Sequence, residues 1–162
     1  MAYPDYEEFL ASLNAYRVRY LVGGAHAVAF HARPRASKDL DVFVAPTTAN
    51  ARRAVEAVRD FFGGTSPKYV SVENLVKRGV VVQLGVAPVR IDLLSHFATT
   101  TFTDAWKRRC AGRFGDTEAF YLALEDLMNE KAHFARPQDL ADLAVLTRAA
   151  ATRSRKRAAR KR

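Results

Sequence analysis

"KDLDVFVAP" (residues 38–46) sets two carboxylates just ahead of an apolar run, and how that pattern is read decides the fold. Side chains of a strand alternate between its faces, so residues two apart point the same way. A strand starting at Lys38 or Asp39 puts Asp39, Asp41 and Phe43 on one face and Leu40, Val42 and Val44 on the other. At a surface this arrangement is tolerable. Buried on both faces, it requires a cation between the acids.

The flanking residues supply the rest of a mixed architecture. "RYLVGG" (19–24) reads as a short strand ending in a glycine turn, "AHAVAFHA" (25–32) as a helix of small residues, and "RPRASK" (33–38) as a basic loop. Residues 5–16 place Tyr6, Phe9, Leu10 and Leu13 at helical spacing behind Pro4. "TTANARRAVEAVRDFFGG" (47–64) is a helix with hydroxyl caps at its start and two glycines at its end. "GVVVQLG" (79–85) and "VRIDLL" (89–94) flank the Gly85–Pro88 turn as an antiparallel hairpin. "FTDAWKRR" (102–109) reads as a helix, "EAFYLA" (118–123) as a strand, and residues 124–135 and 137–150 as two helices. The fold class is α/β (α+β): a small mixed sheet flanked by helices, with a helical C-terminal part. One domain over 1–150 is expected, with 151–162 as a disordered basic tail.

A chain of 162 residues is long enough to bury roughly 68–70% of its unfolded surface in one core. Cys110 has no second cysteine to pair with, so a reducing, cytoplasmic setting is expected. The acidic start "MAYPDYEEFL" does not resemble a signal peptide, and no apolar run approaches the ~20 residues that span a bilayer. Net charge is +9, but seven of the 26 basic residues lie in "RSRKRAARKR" (153–162). The body is nearly balanced, so basicity belongs to an arm suited to nucleic acid or simply to solvation.

The chemistry gathers at the acids. Gly23 and Gly24 leave a strand and open a helix, where amide groups and the positive helix end converge, although glycine pairs also end strands for steric reasons alone. Asp92 in "VRIDLL" is a third carboxylate amid apolar strand residues. If its strand lies beside that of Asp39 and Asp41, all three acids share a face. Two such charges about 4 Å apart repel by about 4 kcal/mol at an effective dielectric of ~20. A divalent cation or raised pKa values would relieve this, and oxygen-only ligands favour Mg²⁺ or Mn²⁺ over zinc. A purely structural reading has Asp39 cap the strand, Asp41 pair with Arg35 or Lys38, and Asp92 pair with Arg90.

"YLVGGAHAVAFHARPRASKDLDVFV" (20–44), with the later Asp92, resembles the signature of the nucleotidyltransferase superfamily, whose catalytic core is like that of DNA polymerase β. "LEDLMNEKAHFARPQDLADLAVL" (124–146) is similar to the helical end of a small bacterial branch allied to abortive-infection (AbiEii-like) toxin nucleotidyltransferases. The resemblance implies that Asp39, Asp41 and Asp92 are catalytic and bind Mg²⁺ or Mn²⁺. It implies that Gly23, Gly24, Ser37, Lys38 and Lys131 contact the nucleoside triphosphate. Where many members have serine after the first glycine, Gly24 and Ala25 offer no hydroxyl. Transfer of NMP from an NTP to a hydroxyl is implied, onto an RNA 3′ end such as that of tRNA, a protein or a small molecule such as an aminoglycoside. The setting implied is a toxin–antitoxin pair with a cognate partner and no membrane. The alternative is a non-catalytic antitoxin or RNA-binding protein that retains the fold.

Other motifs are weaker. The spacing of His26, His31, His96 and His133 completes no zinc pattern, and "RIDLLSH" (90–96) matches a helical ribonuclease motif only by chance, because it lies on a hairpin. Arg136, Asp139 and Asp142 are candidates for extra site residues, but the i, i+3 acids read more simply as a salt-bridged helix face. Residues 106–109 read either as an RNA-facing patch or as an ordinary amphipathic helix.

Overall fold

The computed structural model describes residues 4–161. Helix α1 (Pro4–Ala15) leads into β1 (Tyr20–Val22), α2 (Gly24–His31) and β2 (Asp39–Val44). Then come α3 (Thr48–Phe61), α4 (Val72–Val76), β3 (Val82–Val86) and β4 (Val89–Leu94). The chain continues through α5 (Phe102–Arg108), β5 (Cys110–Phe114), β6 (Thr117–Tyr121), α6 (Leu124–Phe134) and α7 (Pro137–Arg160). The strands form one mixed sheet in the order β3-β4-β2-β1-β6-β5. Strand β2 runs antiparallel to β1 and parallel to β4.

Alternation in β2 is realised as the sequence requires. Leu40, Val42 and Val44 are fully buried, while Asp39, Asp41 and Phe43 are half-buried on the other face. The buried residues join one core with Phe9, Leu10 and Leu13 of α1 and Ala51, Ala54 and Val58 of α3. At the far end of β2, buried Asn50 ties two strands together. Its Oδ1 accepts from the Arg19 amide at 2.8 Å, and its Nδ2 donates to the carbonyls of Arg19 and Ala45 at 3.1 Å each.

Three features depart from the sequence reading. The short α4 is capped by Ser71, whose hydroxyl accepts from the Asn74 amide, a signal too brief to register as helical periodicity. Strand β5 is an edge strand, "CAGRF", whose glycine and arginine hide any alternation; its pairing with β6 creates it. The expected disordered tail is instead helical. Helix α7 runs to Arg160 because residues 148–160 are mostly Ala, Arg and Lys, all good helix formers, and Arg153 donates to the His31 carbonyl at 2.9 Å. Residues 1–3 and 162, part of the expected domain and tail, lie outside the described residues. Among the described residues no helix is long and apolar enough to cross a membrane.

Replacing Asn50 by alanine leaves the Arg19 amide and the Ala45 carbonyl without this partner. A loss of about 3 kcal/mol is expected in urea unfolding, with the secondary structure retained in far-ultraviolet circular dichroism.

Candidate active site

The parallel register of β2 and β4 brings the acids together: Asp41 stands opposite Asp92, and Asp39 opposite Arg90. The cation that the opening pattern required is Arg90. Its Nη2 lies 2.9 Å from Asp39 Oδ2 and 3.3 Å from Asp92 Oδ2, and its Nε lies 3.2 Å from Asp92 Oδ1. The structural pairing of Asp92 with Arg90 is therefore present. The alternative partners for Asp41 are not: Arg35 pairs with Asp142 at 3.1 Å, and Lys38 makes no ion pair among the described residues.

Of the three acids, Asp41 is consequently the one without an ion-pair partner among the described residues. Burial, followed by the charges of Asp92 and Asp39, pushes its carboxyl up to about 6, against the weaker pull of Lys131 and Arg90. Burial also raises Asp92, although Arg90 opposes it. Gly24 makes the closeness possible. It has φ +55, and a Cβ there would fall on the Asp41 carboxylate, so α2 begins directly against this side chain.

The remaining predicted site residues divide. Gly24, Ser37, Asp39, Asp41, Asp92 and Lys131 line one cleft of about 550 Å³, whereas Gly23 and Lys38 are not part of its wall. The Gly23 amide is committed to the Asp41 carbonyl at 2.9 Å, so the amides preceding the first helical bond are those of Gly24, Ala25 and His26. The Ser37 hydroxyl shapes its own turn, donating to the Asp39 carbonyl at 2.8 Å and accepting from the Asp39 amide. The side chain of Lys38 is exposed, and its carbonyl accepts from the Tyr6 hydroxyl.

Lys131 of α6 reaches the cleft but is held there by acids. Its Nζ lies 3.1 Å from Asp139 and 3.0 Å from Asp142, both buried. Burial would raise Asp139, but hydrogen bonds from Arg136 and Lys131 outweigh it and hold the carboxyl below its ordinary range. Asp139 and Asp142 are thus the anchors of the cleft's basic wall of Lys131, Arg136 and Arg35. By sequence, Arg136, Asp139 and Asp142 are candidate extra site residues that read more simply as a salt-bridged face; the ion pairs are present, and Arg136 and Asp139 also line the cleft. His26 packs edge-on against Tyr6 and close to Phe114, and burial lowers its pKa, so it belongs to the packing under α2.

Among the described residues, no three His, Cys, Asp or Glu side chains are arranged closely enough to enclose a metal ion, since Arg90 stands between Asp39 and Asp92. The pair Asp41 and Asp92 nevertheless fits a hard divalent cation. Asp92 Oδ1 is buried and faces Arg90 Nε without hydrogen-bond geometry, and Asp41 beside it lacks an ion-pair partner among the described residues. No protein-family model matches the chain, and no curated protein sequence matches it.

The Asp41 carboxyl titrates at 3.8 when unfolded and about 6 when folded, so folding favours the protonated form and stability rises as pH falls between those values. Above pH 6 the charged group costs about 2–3 kcal/mol. Asp41→Asn is therefore expected to raise the urea midpoint at pH 7.5 and to converge with wild type near pH 4. Equal midpoints at pH 7.5 would contradict this account.

Proposed function

We propose that the chain is a metal-dependent nucleotidyltransferase that moves NMP from an NTP onto a hydroxyl acceptor. The observation that carries the reading is the in-register pair Asp41 and Asp92 beneath the glycine-opened N-terminus of α2. The resemblance to the nucleotidyltransferase superfamily assigns those positions to the reacting centre. Asp41 and Asp92 would hold Mg²⁺ or Mn²⁺; Asp39, which the resemblance also assigns to the metal, is engaged by Arg90. When bound, the ion would neutralise charge on the transferred phosphoryl group.

The chain's own groups have distinct tasks. In the transfer, the acceptor oxygen bonds to the α-phosphorus, the bond to the β-phosphate bridging oxygen breaks, and pyrophosphate leaves. Asp92, with a raised pKa, is suited to receive the acceptor's proton. Lys131 and Arg136 on the opposite wall are suited to the charge that builds on pyrophosphate. The basic end of α7 is suited to an RNA acceptor such as tRNA, within a toxin–antitoxin setting.

A second reading is favoured by Arg90. A guanidinium that already satisfies Asp39 and Asp92 is what a non-catalytic antitoxin or RNA-binding protein would use to stabilise a retained acid face. The two readings separate on labelled NTP transfer, offered cell RNA and cell protein in parallel with Mg²⁺ or Mn²⁺. The enzyme reading expects metal-dependent labelling of one pool, reduced at least about 100-fold in Asp41→Asn. It also expects Mg²⁺ with NTP to raise the melting temperature of wild type but not of Asp41→Asn. Absence of both effects favours the binding module.

The basic end of α7 is tested separately. Truncation after Ser154 keeps the Arg153 contact with His31 and removes six basic residues. If this end contacts RNA, the slope of log affinity against log salt should become shallower in the truncated chain, and an unchanged slope would exclude the contact.

A further inference from the structure

A second cavity, of about 410 Å³, opens beyond the C-terminal end of β2, about 13 Å along the strand from Asp41. It is lined from the carboxylate face of the sheet by Phe97, Phe102 and Trp106 and from the start of α3 by Thr47, Asn50 and Arg53. Phe43, which shares that face with Asp41, stacks on Phe97 with ring centroids 4.2 Å apart. Phe97 is followed by Phe102 at 6.3 Å and Trp106 at 6.0 Å, with rings within about 20° of parallel. Phe97, Phe102 and Trp106 form the aromatic part of the cavity's lining.

The same lining is cationic and carries no carboxylate: the Arg19 guanidinium stands 5.8 Å from the Trp106 ring centroid, and Arg109 lies over that ring at 4.0 Å. Arg19, Arg53 and Arg78 line the cavity, no Asp or Glu does, and none of the three makes an ion pair among the described residues. Arg53 donates from Nη2 to Asn50 Oδ1 at 3.1 Å, but its Nε is shielded from solvent with no partner. The hydroxyls add donors. The side-chain oxygens of Thr47 and Thr101 accept from the Asn50 and Asp104 amides, and that of Thr100 accepts from Arg108, so each keeps its own proton to donate. A space of this size, lined by guanidinium groups, hydroxyl donors and aromatic rings, matches a phosphate ester joined to an aromatic base.

We propose that this cavity binds one nucleotide unit, its phosphate among Arg19, Arg53 and Arg78 and its base beside Trp106. That ring is the partly exposed end of the aromatic row, whose other cavity-lining members, Phe97 and Phe102, are buried. Either a free mononucleotide or the terminal residue of a single-stranded RNA supplies that chemistry. As a seat for an acceptor strand the site rests on the transfer reaction proposed above; as a binding site it stands without it.

Trp106 is the single tryptophan of the chain, so its fluorescence reports on the cavity directly. The full chain in EDTA is titrated with AMP, adenosine, inorganic phosphate and a short single-stranded oligoadenylate. A saturable tryptophan change is expected with AMP and the oligonucleotide, and at least tenfold weaker binding with adenosine or phosphate alone. Tighter binding of the oligonucleotide assigns a strand end; equal binding assigns the free nucleotide. Arg19→Gln with Arg78→Gln, both on exposed side chains, should weaken AMP binding at least tenfold in calorimetry, and Asp41→Asn should leave it unchanged. No tryptophan change with either ligand, wild-type affinity in the double variant, or loss of binding in Asp41→Asn would overturn the proposal. If binding persists while NTP transfer is absent, the enzyme reading fails and the cavity assignment stands.

Discussion

Two carboxylates side by side across parallel strands repel each other, and much of the acid face is arranged around containing that repulsion. Asp41 and Asp92 are opposed in register, and Asp39 lies on the same face one pleat away. The fold answers with one guanidinium rather than three separate partners. Arg90, itself a strand residue opposite Asp39, reaches both Asp39 and Asp92 and leaves Asp41 only partly compensated, by the more distant charges of Lys131 and Arg90. The cost is held locally, in a raised Asp41 pKa, instead of being removed by a neutral side chain.

That choice shapes the surroundings. Gly24 has no side chain because the Asp41 carboxylate occupies the space a Cβ would take. The basic wall across the cleft is organised in the same way, with buried Asp139 and Asp142 holding Lys131, Arg136 and Arg35 in place. Charge of both signs is thereby fixed around a space of about 550 Å³. Preorganised charge of this kind suits a ligand that brings phosphate and a divalent cation together, because both signs find partners already in position.

Arg90 also frames the relation between the two functional readings. As the resident cation it stabilises the acid face without any ligand, which a binding protein would need. As a neighbour of Asp92 it would share that carboxylate with an incoming metal ion, which an enzyme would have to accommodate. The aromatic row from Phe43 to Trp106 leads away from the acids to a cavity whose arginines make no ion pair among the described residues, so cationic character is not confined to the cleft.

Much of the fold was legible because it depends on local periodicity. Alternation in residues 39–44, the helical stripe of Phe9, Leu10 and Leu13, and the glycine ends of 47–64 each report burial directly in the order of residues. The common face of Asp39 and Asp41 followed from the strand period alone. Elements whose existence depends on a neighbour did not follow: β5 is a strand because β6 pairs with it, and α7 is held past residue 150 partly through His31. The partnership of Asp92 with Asp41, the position of Arg90 between the acids, and the joining of Lys131 to Asp139 and Asp142 were likewise decided by tertiary structure. Periodicity fixes which way a side chain points relative to its own backbone, whereas strand order and helix docking fix which distant side chain it meets.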